Sequence, residues 1–219
     1  MIKKNTMDEG YDAGYRACKC FWGRSPGTII KLLDTFITDY SGLRALDVGC
    51  GDGRNAAYLS TRGASVRALD ISELAIANAK ANWPDVESVA WEIADIRNVH
   101  LEPRDYDIVI ASGVMHCFAD PEEIFSTVTK LQHATRVGGY HALSSFNSRF
   151  QDLSAQPDFT PCLLEHTQYI DLYKGWKLMH ASDTDIRESH PHNNIPHTHS
   201  ATRLIAKLKK ALLNQLTNY

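Results

Sequence analysis

Apolar positions along the chain alternate between two patterns. Short apolar runs bounded by Asp, Gly or Pro give way to stretches in which apolar residues recur every three or four positions. The short runs predict strands over residues 43–48, 64–69, 86–93 and 106–112, the second ending at Asp70 and the third just before Asp95. Between them the helical period predicts a covering helix opened by Ser25-Pro26, with Ile29, Ile30, Leu32, Leu33 and Phe36 on its apolar face, and a helix through Ala56, Ala57, Tyr58 and Leu59. Ser72 reads as the cap of a third helix running to about Ala81, and Asp120-Pro121 as cap and first turn of a fourth reaching about His133. Gly138-Gly139 then turns the chain into a fifth strand. After an irregular stretch containing Pro157 and Pro161, a short helix over 165–173 precedes two strands, 176–188 and 201–208. With no helix between them, these two are expected to pair as an antiparallel hairpin, and the intervening HPHNNIPHTH to leave from the carboxyl end of the sixth strand, where open α/β sheets bind ligands. The order predicts a doubly wound α/β fold: a seven-stranded, mostly parallel sheet with an antiparallel C-terminal strand and helices on both faces.

A chain of 219 residues suits one such domain. It divides into a lid and covering helix (1–40), a cofactor-binding core (41–146), and a substrate-side helix with the terminal hairpin (147–219). Hydrophobic residues at 43%, charged residues at 22% and a formal net charge of −3 are ordinary for a globular protein and imply no polyanionic partner. The opening MIKKNTMDEG lacks the apolar stretch of a secretory signal, and no run of about 18 apolar residues occurs, so a cytoplasmic protein with no membrane contact is expected. Five scattered cysteines, Cys18, Cys20, Cys50, Cys117 and Cys162, form no disulfide framework and read as free thiols in a reducing compartment.

The densest chemical signal is LDVGCGDGRN, residues 46–55, placed between a strand and a helix. Gly49 and Gly51 permit a tight turn and close approach of a ligand to the backbone, and Gly53 lets the next helix pack against the strand. The spacing is GxGxG, with Arg54 where a dinucleotide fingerprint has its third glycine, which argues against NAD. Asp47 and Asp52 beside the turn disfavour a pyrophosphate and suit a cationic ligand with sulfonium and ammonium groups. Asp70, 17 residues after Gly53, stands at a strand end where a carboxylate can accept both hydroxyls of a ribose; Asp95, after the next strand, can accept from an adenine amino group.

With LDVGCGDGRN, LDIS (69–72), ADI (94–96) and YDIVIASGVMH (106–116), the sequence resembles the class I S-adenosylmethionine-dependent methyltransferases over nearly its whole length. GCGDGRN, GGY (138–140), YKGW (173–176) and ESH (188–190) make it most similar to the small-molecule branch that includes the tellurite-resistance methyltransferases. The resemblance implies the Rossmann-like class I fold, S-adenosylmethionine as cofactor with S-adenosylhomocysteine as product, and methyl transfer to a small O-, N-, S- or metalloid oxyanion acceptor. It further implies that Gly49, Gly51 and Gly53 line the methionine and ribose and that Asp70 holds the ribose, while Asp47 is counted with the cofactor-binding residues on the electrostatics of the turn. Ile71 would cover one adenine face, Asp95 with Ile96 meet its amino edge, Ser112 end the fourth motif strand at the site, and Arg54 with Asn55 hold the carboxylate tail. The long histidine loop and the cysteine-containing N-terminal segment depart from that branch.

Methyl transfer is an in-line displacement in which positioning and desolvation supply most of the acceleration. An oxygen or nitrogen acceptor also needs a base, and His116, just past the fourth strand, is the candidate; its alternative is a packing residue satisfied by the backbone. His190, His192, His197 and His199 form two HxH pairs. His197 and His199 are taken as candidate catalytic residues, with substrate binding or a pH-sensitive lid preferred to metal binding, so no metal is assigned. Arg187 beside them suits an anionic acceptor, and Glu188 weakens that inference. Tyr15 and Trp22, with Tyr11 and Phe21, are expected to lie over the cofactor or to pack on the sheet. Met115, Phe118 and Phe146 read as pocket wall or core. The acidic balance, and a C-terminal KLKKALLNQLTNY that is only mildly basic, argue against a nucleic-acid partner. A homodimer is an admissible assembly, and the competing reading is a non-catalytic S-adenosylmethionine- or metal-binding sensor.

Overall fold

The structure, a computed structural model, describes residues 11–157, 159–191 and 194–210. The opening MIKKNTMDEG, His192 and the end of the C-terminal basic stretch lie outside the described residues.

Strands β1 (Arg44–Val48), β2 (Ser65–Asp70), β3 (Val89–Ile93), β4 (Tyr106–Ser112), β5 (Thr135–Gln151), β6 (Lys177–Glu188) and β7 (His197–Lys207) form one sheet in the order β3-β2-β1-β4-β5-β7-β6. The first five run parallel, and β7 pairs antiparallel with both β5 and β6. Successive side chains of a strand face opposite ways, so Ile108 and Ile110 of β4 enter one core while Val109 and Ala111 enter the other. That alternation is what gives a sheet covered on both faces. Helices α1 (Asp12–Ala17), α2 (Thr28–Leu33), α3 (Arg54–Thr61), α4 (Glu73–Asn82), α5 (Pro121–Ala134) and α6 (His166–Asp171) complete the layers. Ile29, Ile30 and Leu33 of α2 pack in the core that holds Ile108, while Ile124, Val128 and Leu131 of α5 and Tyr169 of α6 pack in the one that holds Val109. Among the described residues no helix is long and apolar enough to cross a membrane. All five cysteines are free thiols.

Ser72 accepts from the Ala75 amide, and Asp120 from the Glu123 amide with Pro121 in the first turn, so both helices start at their predicted caps. Three boundaries differ from the sequence reading. The covering helix begins at Thr28, not at Ser25-Pro26, because the Gly27 carbonyl accepts its first bonds while the Gly27 N–H is taken by Asn55 Oδ1 at 2.9 Å. β5 starts at Thr135, ahead of Gly138-Gly139, and those glycines form an irregularity inside the strand, where the register jumps from Tyr106↔Thr135 to Ile108↔Tyr140. β7 starts at His197 rather than at residue 201: His197 pairs with Glu188 and His199 with Ile186, so both histidines belong to the sheet and not to the loop.

The chain winds outward in two directions from the gap between β1 and β4. The carboxyl ends flanking that gap are the topological switch point at which doubly wound sheets bind ligands.

Candidate active site

A cavity of about 290 Å³ opens at that switch point. Its floor is Gly49, Gly51, Asp70, Ile71, Asp95, Ile96 and Ser112, each at or just past the end of a parallel strand. Gly49 and Gly51 have φ of 65° and 57°, a left-handed backbone that side chains disfavour. A Cβ on Gly49 would stand 2.8 Å from Val114, and one on Gly51 2.9 Å from the Tyr15 hydroxyl, so both glycines leave the cavity the width a side chain would take. Gly53 does different work. Its Cβ would meet Trp91 at 2.5 Å and Ala79 at 3.0 Å, away from the cavity, so it provides close packing of the turn and does not line the ligand site as the motif resemblance implied.

Asp70 organises the floor. Its Oδ2 accepts from the Gly51 N–H at 2.8 Å and its Oδ1 from the Ser72 N–H at 2.9 Å. These two bonds, one to each carboxylate oxygen, fix the plane of the group at the cavity. Asp95 lies on the wall but is gripped by Arg97, whose guanidinium approaches to 2.7 Å. Burial opposes ionisation of Asp95, and the Arg97 hydrogen bonds and charge overcome it, holding the carboxyl below its usual range.

Asp47, read from the sequence as facing the cationic groups, is beneath the wall: it is buried, and its Oδ2 has no partner. The Ala56 amide at the start of α3 donates to it, a position where the helix dipole favours a carboxylate. Burial, reinforced by the nearby charge of Asp70, nevertheless pushes its pKa up to about 7. An acid whose folded pKa is raised costs stability as pH rises from its unfolded value toward the folded one. Asp47→Asn, which keeps an acceptor for Ala56, is therefore expected to match the parent below about pH 4 and to gain on it progressively up to about pH 7, by on the order of a few kcal/mol. Denaturant melts at pH 4, 6 and 8 check this, and a constant difference across the series contradicts it.

The roof is the N-terminal segment. Tyr11, Asp12, Tyr15 and Trp22 line the cavity, with the Trp22 indole N–H donating to the Tyr15 hydroxyl at 3.1 Å. The segment is latched by the glycine turn: the Trp22 N–H donates to Asp52 Oδ2 at 2.9 Å, and Arg54 Nη1 donates to the Trp22 carbonyl at 2.7 Å. Asp52 thus holds the roof and is not a wall residue. Arg54 and Asn55 both line the cavity, and Asn55 spends its oxygen on Gly27.

His116, Phe146, Ile186, Glu188 and Arg203 also line the cavity. His116 sits in a 3₁₀ turn over Met115–Cys117, wholly buried, with its ring stacked 4.1 Å from that of Phe146. The Phe146 N–H can only donate, and it lies 3.3 Å from His116 Nδ1, so in the neutral ring the proton is on Nε2, which faces the Tyr11 hydroxyl at 3.3 Å. Burial, with His199 nearby, lowers the His116 pKa to about 3. The imidazole presents a donor, not the lone pair that a base needs. This corrects the sequence reading of His116 as a base titrating near neutrality.

His197 and His199 do not line the cavity; they lie behind Glu188, which does. Glu188 Oε1 is 3.7 Å from His197 Nε2, 3.8 Å from His199 Nε2 and 3.9 Å from His190 Nε2. Arg187 is exposed, and the cation reaching the cavity from this hairpin is Arg203. Sequence reasoning missed both Glu188 as a wall residue and Arg203. The first was legible as a carboxylate at a predicted strand end, whereas Arg203 carried no signal beyond its place in a strand.

The profile of the family described as "Tellurite resistance protein TehB" matches residues 35–195. A curated relative from Haemophilus influenzae (strain 10810), described as a probable S-adenosyl-L-methionine-dependent methyltransferase TehB, is 29% identical over 140 residues, 64% of this chain and 48% of that protein. The chain therefore spans about half the length of the curated relatives it matches first. Among solved structures, TehB from Haemophilus influenzae superposes with a TM-score of 0.65 at 22% identity, covering 83% of this chain and 61% of that one. A structure titled for the conversion of a disulfide bond into a thioacetal group during echinomycin biosynthesis superposes at 0.67 and 22% identity over 95% and 97%. Both superpositions show the same Rossmann-like methyltransferase fold.

Proposed function

The chain belongs to the tellurite resistance protein TehB family, and on that premise we propose that it is an S-adenosylmethionine-dependent methyltransferase acting on a small molecule. The observation that carries this reading is that a single cavity is lined by a glycine turn hydrogen-bonded to Asp70, by Tyr15 and Trp22, and by His116, Glu188 and Arg203.

The residues present fit that cofactor. Gly49 and Gly51 clear a path where a Cβ would collide with Val114 or Tyr15, and Asp70 brings a carboxylate of fixed orientation to the cavity, an acceptor suited to a diol. Ile71 and Ile96 supply apolar surface for a base, with Asp95 and Ser112 beside it, and Arg54 provides positive charge for a carboxylate. Bound S-adenosylmethionine supplies a methyl group on a cationic sulfur, which an acceptor takes by in-line displacement. Tyr15 and Trp22 close the cavity from above, which excludes water and offers ring faces to a cation. Tyr11 and His116 form a donor pair at the acceptor end that orients rather than deprotonates.

The rate-pH profile tests this division of labour. With the His116 pKa at about 3, no fall in kcat from protonation of His116 is expected between pH 7 and pH 5.5. His116→Asn is expected to lower kcat and leave the shape of the profile unchanged. A limb near pH 6.5 that disappears in that variant would restore the base assignment.

On this reading the chain works as one domain, and Tyr11, Asp12, Tyr15 and Trp22 of its N-terminal segment serve as the cover. The net charge of −3 favours a small-molecule acceptor over a nucleic acid.

A further inference from the structure

We propose that Glu188, His197 and His199, with His190 beside them, form a binding site for a divalent transition ion of the zinc class at the acceptor end of the cavity. The topology brings the ligands together. His197 and His199 are two apart on β7 and share a face, and the pairings Glu188↔His197 and Ile186↔His199 put the Glu188 carboxylate on that face. One ligand atom from each of Glu188, His197 and His199 lies within 4.8 Å of the others.

The hydrogen bonds of the rings decide what these atoms are. His197 Nδ1 is 2.8 Å from the Ile195 carbonyl, which can only accept, so its proton is on Nδ1 and its Nε2 carries the lone pair. His199 Nδ1 is 2.7 Å from Gln151 Oε1. Gln151 is itself fixed, its Nε2 donating to the carbonyls of Asn147 and Ser200, so the His199 proton is likewise on Nδ1. Both inner nitrogens are therefore acceptors aimed at a third acceptor, Glu188 Oε1. His197 is 4% exposed, and its Nε2 has no hydrogen-bond partner.

Separations of 3.7 Å and 3.8 Å are too long for a hydrogen bond. Atoms sharing a tetrahedral ion with bonds of about 2.0–2.1 Å stand roughly 3.3–3.5 Å apart, so the two separations from Glu188 need to contract by only a few tenths of an ångström, and the third, within 4.8 Å, closes by a rotation of the side chains. An outer partner on the Nδ1 of each ligating histidine, here Ile195 and Gln151, is the usual second layer of a metal centre. Imidazole and carboxylate donors select a borderline divalent ion. His197 and His199 thereby act through a metal rather than as the substrate-binding or lid residues expected from the sequence.

Glu188 is also a wall of the cavity, so the ion would lie against the position of the methyl acceptor. Resting on the methyltransferase reading, this points to an acceptor that carries an oxygen or sulfur donor able to bind the ion, which would favour its deprotonated form in a site where His116 supplies no base.

The test uses the full-length protein without a polyhistidine tag, stripped with a chelator and titrated with zinc chloride and, separately, cobalt chloride. One ion per chain is expected, with a visible cobalt spectrum of tetrahedral or five-coordinate type. His197→Ala or His199→Ala should weaken binding by at least about 100-fold, and Gln151→Leu, which removes the outer partner of His199 together with its own bonds to the Asn147 and Ser200 carbonyls, by about 10–100-fold. Melting temperature and S-adenosylhomocysteine affinity, measured in parallel, keep the comparison among folded proteins; Glu188→Gln provides a near-isosteric second variant. No saturable binding by the parent protein, or binding that is unchanged in every variant, overturns the site. Metal binding without S-adenosylhomocysteine binding would leave the site standing and overturn the methyltransferase reading instead.

Discussion

Asp70→Ala is expected to lower affinity for S-adenosylhomocysteine by about 100-fold, close to 3 kcal/mol, while the protein stays folded. Two losses combine. The carboxylate accepts from the Gly51 and Ser72 amides at 2.8 Å and 2.9 Å, so its removal frees the turn that shapes the floor. It also removes the acceptor proposed for the ribose hydroxyls, and hydrogen bonds to a charged group are worth about 1.5–3 kcal/mol each. Asp70→Asn, which keeps one acceptor and loses the charge, should fall between the parent and the alanine variant. Stability should drop by only about 1–2 kcal/mol, because Asp70 is a strand-end residue on the cavity and not a core side chain. Unchanged affinity in both variants would sink the ribose assignment.

Gly53→Ala is expected to do the reverse: to lose about 3 kcal/mol of folding stability and retain most cofactor affinity in the fraction that folds. A Cβ there lands 2.5 Å from Trp91 and 3.0 Å from Ala79, and the backbone φ is 89°. Overpacking of this kind costs about 1–3 kcal/mol, and a left-handed conformation about 1–2 kcal/mol more for a residue other than glycine. Gly51→Ala, two residues away, should show the opposite split. Its Cβ meets Tyr15 and Trp22 at 2.9–3.1 Å, so the roof is displaced and binding suffers more than stability. Equal loss of affinity in the two variants would contradict the separation of a packing glycine from a wall glycine.

That separation marks the limit of the motif. LDVGCGDGRN located the turn, and the strand ends at Asp70 and Asp95 located the floor, because alternation and capping are local properties that a sequence displays directly. Whether an aspartate beside the turn faces a ligand is not local. Asp47 lies on a strand whose neighbours are fixed by long-range pairing, and it points under the wall to the start of α3. The same limit applies to the histidines. His197, His199 and Ser200 are all buried and all polar, so a hydrophobic pattern starts the strand four residues late. His116 shows a third kind of limit: its position was legible, while its protonation depends on a backbone N–H at Phe146, thirty residues on.

The central claim is that the glycine turn and Asp70 cradle S-adenosylmethionine rather than a dinucleotide. Calorimetric titration of the cofactor-stripped protein with S-adenosylmethionine, S-adenosylhomocysteine and NAD⁺ tests it most directly. The account predicts saturable one-to-one binding of the first two and none of NAD⁺. Binding of NAD⁺ alone, or of none of the three, would contradict it.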